Sequence, residues 1–573
     1  MFMDSVRHSA LTVLGIDFHL SDWDPSSQVD GDFVYSGPDV EMNDFINRLP
    51  PIELAYFLSE TYFSICNPLV GILHKPSHMR EIRNMYTNPN YELKYPWLIQ
   101  YHMVWALSRV MFQIEYVPES LKSAFRAINH RDLYTQVQPH FTKLLANTDL
   151  PCVQAASMMF TYLRGTVRPA SYWHIGRSVT SMAYEIGLHR KSDKQSFSLL
   201  ELELRKRNWW IIVAWDTIIA QQMGRPLSVR VADYDQEQPD GFEDEYLEDT
   251  SLPPFKNEQP TYAAACFFFR LTVVSNKIME RLYSVKKPDR TSYVNVVDEI
   301  ERELDEYQDL VPQNLKFNMD ARVENRILLC QQGLIRLSCL ELKILVRHPS
   351  LFSNVTSPLF SAASLSICTE ASRQLIHTQG LMLRYNVLDM SWNSASLCLL
   401  ATMTILYSIW EKGDNLASNQ DPALETEIRM SMDIMEKIGE RWGVAQRFRE
   451  MVSVLSSATL RRTQRKRPTK QTAETSVHSA LRYSPRESFS YHPPVPSQQF
   501  CPWLPDQQPP TVHMLPSVSN SWYGWDTFVG EIGAAGIDSS VLHVPPAHYN
   551  QTLPVQDHNP NFQLPTNHNY YEH

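Results

Sequence analysis

The stretch from Leu204 to Pro239 reads LRKRNWWIIVAWDTIIAQQMGRPLSVRVADYDQEQP and decides the fold. When it is wound at about 100° per residue, Arg205, Trp209 and Asp216 fall in one sector. The remaining sides of the helix are also largely apolar. A helix that is apolar all round is normally buried. The pattern therefore predicts a helix inside the core of a helical protein.

Asp216 is the charged residue that this buried helix has to accommodate. A carboxylate removed from water is costly unless it is paired, and Arg205 and Arg225 are the nearest candidate partners in sequence. Gly224 can adopt a left-handed conformation and Pro226 cannot continue a helix, so the helix should end at this turn. The acid could serve an acid/base or anion site, or a structural ion pair. The structural interpretation is favoured because no nucleophile lies nearby in sequence.

Helical periodicity extends along most of the chain, without convincing strand alternation or a repeat, and this predicts an all-α fold. We divide the chain into a linker-like segment at 1–50, an all-helical domain at 51–460 and a C-terminal region at 461–573. The main helices are predicted at Leu54–Phe63, Pro96–Phe112, Val153–Tyr162, Ser171–Leu188, Leu204–Met223, Tyr262–Tyr283, Tyr293–Leu310, Val323–Arg347, Leu359–Leu383, Asp389–Lys412, Pro422–Trp442 and Val444–Ser456.

The C-terminal region begins with the basic run RRTQRKRPTK at 461–470. Such a run is typical of a nuclear localisation signal or of phosphate contacts, and the alternative is a solvated linker. The candidate localisation residues are Arg461, Arg462, Arg465, Lys466, Arg467 and Lys470. The rest of the tail is rich in Pro, Ser, Gln and Asn, which predicts disorder. Its aromatic segment SWYGWDTFVGEIG suits either an activation segment or a segment that docks on its own core.

Composition narrows the class of protein. The formal net charge of −11 argues against a globally basic nucleic-acid-binding surface. The eight cysteines show no close pair of the kind that builds a zinc site, so neither a metal nor another cofactor is predicted. The acidic segment 233–249 is expected to be an exposed loop. No apolar run of membrane-spanning length and no secretory signal is recognised, which predicts an intracellular protein without a membrane segment.

The stretch around Leu204–Pro239 resembles the signature of the fungal-specific transcription factor domain, the regulatory region of fungal regulators that usually carry a zinc binuclear cluster. The residues that carry the resemblance are Arg205, Trp209, Trp210, Asp216, Gly224, Arg225 and Pro226. The resemblance implies an all-helical nuclear regulator of transcription, often of metabolic or biosynthetic genes such as secondary-metabolite clusters. It implies partners in the transcriptional machinery or a DNA-bound regulator, and it leaves a homodimer and a small-molecule effector open.

A six-cysteine zinc cluster, the DNA-binding module of such regulators, is absent from the sequence as given. Two explanations compete. Either an upstream segment that carries the cluster, and hence zinc, is missing from this sequence, or the protein works through a DNA-bound partner. Contact through residues 461–470 alone would give salt-sensitive and non-specific DNA binding. Whether the chain itself contacts DNA therefore stays open.

Two other classes of protein compete with a transcription regulator. A helical enzyme, for example one that acts on isoprenoid diphosphates, would need carboxylates on one helix face to hold magnesium ions. None of the predicted helices carries such a face, so we predict that the protein is not an enzyme and has no catalytic residues. A helical interaction scaffold without a role in transcription is the second alternative.

Overall fold

The computed structural model describes most of the chain up to residue 465. The described residues are 10–16, 49–88, 90–92, 94–111, 114, 117–146, 148–166, 169–192, 196–248, 261–286, 290–319, 325–348, 351, 358–411, 423–440 and 443–465. They all lie in the unit Met1–Gly536, and the separate unit Ile537–His573 lies outside them.

The described part is built from α-helices joined by short connections and a few 3-10 turns, with no strand in these ranges. The helices are α1 (Ile52–Ile65), α2 (Asn67–Val70), α3 (Lys75–Thr87), α4 (Tyr95–Met111), α5 (Glu119–Ala127), α6 (His130–Val137), α7 (Phe141–Ala146), α8 (Leu150–Thr166), α9 (Pro169–Glu185), α10 (Leu199–Met223), α11 (Ala263–Arg281), α12 (Arg290–Leu310), α13 (Arg326–Val346), α14 (Pro358–Arg384), α15 (Trp392–Glu411), α16 (Leu424–Gly439) and α17 (Gly443–Arg465). The predicted all-α class is confirmed.

Helices that follow one another in sequence mostly pack against each other, as α8, α9, α10 and α11 do, and as α13, α14 and α15 do. The main hydrophobic core runs from α1 to α17 and is filled by large side chains such as Trp105 and Trp209. A smaller second core lies among α11, α12 and α13, around Ile278 and Val297. The apolar helices α10 and α15 are buried on nearly all sides because both lie inside the main core.

Local signals explain several helix ends. Ser198 caps α10, since its side chain accepts a hydrogen bond from the Glu201 amide at 3.2 Å. At the other end, Gly224 has a φ of 59° and the Arg225 amide donates to the Ala220 carbonyl at 3.0 Å. The helix therefore ends at the predicted Gly-Arg-Pro turn. Pro76 stands in the first turn of α3, where a missing amide hydrogen costs nothing.

Helix α15 corrects one expectation from the sequence. Its residues Trp392–Glu411 are long and apolar enough to cross a membrane, with a mean hydropathy of 1.3. The expectation that no run reaches spanning length is therefore wrong. Of the 18 residues that form its most apolar stretch, 83% are buried inside the protein, as is usual for a helix in a protein core. The core that α15 shares with α14, α16 and α17 accounts for its composition.

Two glycines allow close contacts between helices, one between α13 and α14 and the other between α14 and α16. A Cβ atom at Gly333 of α13 would overlap the thioether of Met382 on α14. A Cβ atom at Gly380 of α14 would overlap Met430 of α16 in the same way. Each methionine therefore occupies the space that a larger residue would fill, and it sets the separation of its helix pair.

The helical part of the protein includes residues before and after the predicted bounds of 51–460. Residues 10–14 are helical and Ala10 is buried in the main core, so this part of the predicted linker packs on the body. Helix α17 extends to Arg465 and thus includes the first basic residues of the run at 461–470. Lys466, Arg467, Lys470, Cys501 and the predicted disordered tail lie outside the described residues.

Candidate functional site

Helix α10 holds the predicted signature residues at the centre of the fold. Trp209 is fully buried, and its ring lies 5.5 Å from each of the rings of Tyr184 and Tyr234. Trp210 stacks near Phe269, and its indole nitrogen donates to the Glu237 carbonyl at 2.9 Å. The tryptophan pair thus fixes the segment after α10 to the helix itself, and its role in the structure is packing.

Asp216 is buried and paired as expected, but with another partner. One carboxylate oxygen accepts from the amides of Ser228 and Val229 at 2.7 and 3.2 Å. The other lies 3.4 Å from the guanidinium of Arg177 on α9. Burial raises the pKa of Asp216, and these donors and the arginine lower it in part. The carboxylate therefore holds the turn after α10 against α9.

The predicted pairing of Asp216 with Arg205 or Arg225 is wrong. Arg205 donates to the Ile186 carbonyl at 2.8 Å and to Ser192 at 3.2 Å, and this fastens the end of α9. Arg225 lies over the ring of Trp173 at 4.5 Å. Both arginines are close to Asp216 in sequence. Arg205 lies about three helical turns before it on α10, and Arg225 lies after the turn at Gly224. The partner comes from the neighbouring helix, which the sequence pattern did not identify.

The signature turn is also held from α9. Arg177 donates to the Pro226 carbonyl, and its guanidinium lies 4.8 Å from the Trp173 ring. Trp173 therefore has two arginines over its ring, one from each of the joined elements. The signature residues all lie on α10 and in the turn that follows it, and contacts from α9 hold this turn in place.

A second buried cluster was missed by sequence reasoning, and it is centred on Arg207, whose side chain is 1% exposed. Its guanidinium binds Glu203 at 3.1 Å, Asp244 at 2.7 Å and the Phe242 carbonyl at 2.7 Å. It also lies 3.8 Å from the centre of the Tyr262 ring. All sides of this buried cation are therefore occupied by acceptors or by an aromatic face.

The acids of this cluster are equally well satisfied. Glu203 accepts from the amides of Asp240 and Gly241 at 3.1 and 3.2 Å. Asp244 accepts from the Lys75 amide at 2.9 Å and from the Tyr262 hydroxyl at 3.0 Å. The prediction of an exposed acidic loop at 233–249 is therefore wrong around Asp244, because this segment folds back on α10 and α3. A sequence signal existed in the pair Glu203 and Arg207, which are four residues apart on α10.

The buried charges of the two α10 clusters are paired within the protein. No group of three or more His, Cys, Asp or Glu residues in the described ranges could hold a metal ion. Burial raises the pKa of the Cys66 and Cys330 thiols to about 12, which keeps them protonated. The described cysteines are free and mostly buried. Neither cluster on α10 is thus arranged for nucleophilic or metal chemistry.

The far side of α10 borders a large cavity of about 890 Å³. Its lining residues come mainly from α10, α11, α13 and α14, and α4 and α8 also contribute. The apolar lining includes Leu69, Leu107, Val110, Trp215, Phe268, Leu271, Leu334, Leu337, Met382 and Leu397. Volumes of this size hold drug-sized molecules, and a mostly apolar wall with few polar groups is the usual composition of a small-molecule site.

Glu341 of α13 is the exceptional polar group on this wall. It makes no hydrogen bond or ion pair with any residue that the structure describes. Burial among apolar neighbours raises the pKa of its carboxyl to about 7. The other charged pairs at the cavity are joined, Arg164 to Asp389 at 3.3 Å and Lys437 to Glu440 at 2.7 Å. Arg326 is also engaged with other groups.

Glu341 was not predicted as a site residue, although its position carries a signal. Leu334, Leu337 and Cys330 precede it on one apolar stripe of α13, and all three line the cavity. An acid on an apolar stripe is unusual because helices normally turn charges toward water. The helices that complete the cavity are far away in sequence, so the cavity itself could not be read from the pattern.

The candidate localisation residues are placed only in part. Arg461 is exposed near the end of α17, and the backbone of Arg462 and Arg465 continues the same helix. The remaining three residues lie outside the described ranges. Their function as an import signal stays a prediction.

Comparison with known proteins shows which proteins this chain is similar to. Residues 60–309 match the fungal specific transcription factor domain. An ABC-transporter-regulating transcription factor of Aspergillus oryzae is 27% identical over 337 residues, which cover 57% of this chain and 35% of that protein. The transcriptional activator protein acu-15 of Neurospora crassa is 25% identical over 368 residues, or 63% of this chain and 38% of that protein.

A further relative is the aurofusarin cluster transcription factor aurR2 of Gibberella zeae, which is 24% identical over 386 residues, or 63% of this chain and 53% of that protein. The matched segments thus span between about a third and a half of the length of these relatives. Both α10 clusters lie inside the matched domain, whereas α13 and Glu341 lie beyond its end. Residues 60–309 therefore match the fungal specific transcription factor domain, and the relatives named above are fungal transcription factors.

Proposed function

We propose that this chain regulates transcription, and that its helical body is the regulatory domain. The observation that carries the proposal is the match of residues 60–309 to the fungal specific transcription factor domain. The buried clusters on α10 support it, because they stabilise a fold without presenting an open catalytic group. We place the protein in the nucleus, with the run at 461–470 as the import signal, and we propose the transcriptional machinery or a DNA-bound regulator as its partner.

We further propose that the regulated genes serve metabolism or the synthesis of a secondary metabolite. Support comes from the relatives, one of which is described as an ABC-transporter-regulating factor and another as an aurofusarin cluster factor. The test is a transcript profile after deletion and after overexpression of the gene. We expect opposite changes in a limited set of metabolic or biosynthetic genes. Unchanged transcripts in both strains would contradict the proposal.

The regulatory role of the body can be tested apart from its DNA contact. We would fuse the full chain to an unrelated DNA-binding module and measure a reporter gene that carries the module's site. We expect the fusion to raise or lower reporter expression relative to the module alone. The matched variants are Arg207→Met, which should abolish the effect by breaking the buried cluster, and Arg190→Met, whose exposed pair with Asp235 should be dispensable. A reporter that does not respond to the fusion would speak for a scaffold without a role in transcription.

A further inference from the structure

We propose that the cavity between α10, α11, α13 and α14 binds a small, mainly apolar molecule that carries one basic amine, and that the amine pairs with the carboxylate of Glu341. The proposal concerns binding by the chain itself and goes beyond its role in transcription. It rests on the volume of the cavity, the apolar lining and the single unpartnered acid on its wall.

Size and lining define the apolar part of the ligand. A cavity of about 890 Å³ is in the range of small-molecule sites, and wall residues such as Trp215, Phe268 and Leu337 would be in contact with hydrocarbon. Burial of apolar ligand surface against these side chains supplies the main part of the binding free energy. The ligand class is therefore apolar over most of its surface.

The polar part of the ligand follows from charge. Glu341 has no cation among the described residues, whereas Asp216, Asp244 and Asp389 each have an arginine. A carboxylate in apolar surroundings is stabilised most by an opposite charge within hydrogen-bond distance. An ammonium group supplies that charge and the donors together. An anionic ligand would be repelled by Glu341 when it is ionised.

Proton release distinguishes pairing from mere burial of the ligand. The pKa of Glu341 is about 7 in the empty cavity. An ammonium ion that binds there lowers this pKa, so a proton leaves when binding takes place below about pH 7. The other titratable and charged groups at the cavity are the thiols Cys66 and Cys330, the phenol of Tyr162, which is hydrogen-bonded to His130, the joined pairs Arg164–Asp389 and Lys437–Glu440, and Arg326. The thiols stay protonated in this range, and the members of each pair lie 3.3 and 2.7 Å apart.

The experiment uses the purified full chain and a graded panel of naphthylalkylamines and long-chain alkylamines, each with the neutral alcohol of the same skeleton. Binding is measured by calorimetry in two buffers that differ in ionisation enthalpy, which reports the protons released. We expect some amines to bind at least about tenfold more tightly than their alcohols near neutral pH, since one charged pair is worth roughly that factor. The affinity of these amines should increase as the pH is raised toward 7, by at most about tenfold per pH unit, because at most one proton is released on binding.

Two variants and a control test the role of Glu341. Glu341→Gln should remove both the preference for amines and the proton release, while alcohols bind as before. Ser338→Trp, one turn earlier on the cavity wall, should block all members of the panel. Glu306→Gln on the exposed side of α12 should change nothing.

Three outcomes would overturn the proposal. The first is that no amine binds the wild-type chain, and the second is that amines and alcohols bind equally well. The third is that Glu341→Gln keeps the preference for amines. Because the readout is binding by the purified chain, these outcomes are independent of the reporter experiment, and either proposal can fail while the other stands.

Discussion

Arg207 on α10 is buried and Glu341 on α13 is half-buried, and the surroundings of these two charged side chains are opposite. Arg207 has three acceptors and an aromatic face around it, supplied by α10, the following segment and α11. Glu341 faces a cavity and has no polar partner in the described part of the chain. Buried charges that hold the fold together are saturated by protein groups, so an unsaturated one indicates a place where another molecule binds.

The largest effect is expected when the saturated side of this comparison is broken. Arg207→Met leaves Glu203 and Asp244 buried without their cation. We expect a loss of about 3–5 kcal/mol of unfolding free energy, because breaking a buried pair leaves an uncompensated charge. Denaturant unfolding measures this loss. The control Arg190→Met removes an exposed pair and should cost less than about 1 kcal/mol. Equal costs for both variants would mean that the Arg207 cluster contributes no more than a surface pair.

Asp216→Ala tests the second saturated acid. The change removes the acceptor for the Ser228 and Val229 amides and leaves the Arg177 guanidinium without its carboxylate. We expect a loss of about 2–4 kcal/mol, since buried donors lose their partners and a charge loses its pair. Thermal unfolding followed by circular dichroism measures it. Asp216→Asn keeps an acceptor and should lose less than Asp216→Ala. An unchanged melting temperature in the alanine variant would contradict the structural role.

Glu341→Gln should have the opposite sign. The folded-state pKa of about 7 lies above the ordinary value of 4.5, so the fold favours the protonated carboxyl. The contribution of Glu341 to stability is therefore fully present below about pH 4.5 and is lost as the pH rises through about 7. At pH 8 the glutamine variant should be more stable than the wild type by roughly 1–3 kcal/mol, at about 1.4 kcal/mol per pKa unit. Unfolding curves at pH 5 and pH 8 measure the difference.

The same pH series carries its own control. Glu306→Gln changes an exposed acid of α12 and should follow the wild type at both pH values. If Glu341→Gln is destabilised at pH 8, the carboxylate has a partner in the protein, and the contrast with Arg207 disappears.

The smallest effect on stability is expected from the basic run at 461–470, whose first residues form the last turn of α17. Replacing Arg461, Arg462, Arg465, Lys466 and Arg467 by glutamine should leave the melting temperature unchanged, since exposed charges contribute little. The same variant should reduce nuclear accumulation of a fluorescent fusion. The unchanged melting temperature is the control for folding. Wild-type localisation of this variant would mean that the run is only a linker.

The fold class and the signature helix were predictable because they depend on local pattern. The apolar period of α10 and its Gly224 turn depend on consecutive residues, and the structure confirms both. The partner of Asp216 was not predictable because Arg177 reaches it across a helix contact that no local pattern records. In the run Leu204–Asn208, Arg205 and Arg207 are both buried, and the local pattern does not show which groups they meet. Arg207 meets Asp244 only because the segment after α10 returns to the helix.

The cavity was the least predictable feature because it depends on helices that are distant in sequence. Glu341 could have been noticed as an acid on an apolar stripe, but a satisfied ion pair inside the fold would produce the same pattern. What distinguishes the two cases is the absence of a partner among the described residues, and that is a property of packing. The same limit applies to the segment 233–249. Its acidic composition predicts an exposed loop, whereas Asp244 is buried in the structure.

The close approach of α13 and α14 at Gly333 has a consequence for how the cavity can vary among related proteins. Met382, which fills the space above Gly333, also borders the cavity. A residue with a side chain at 333 would have to displace Met382. Position 333, which lies eight residues before Glu341 on α13, can therefore change the space inside the cavity. Substitution at 333 is therefore a simple way to change which molecules fit while the acid that holds them stays in place.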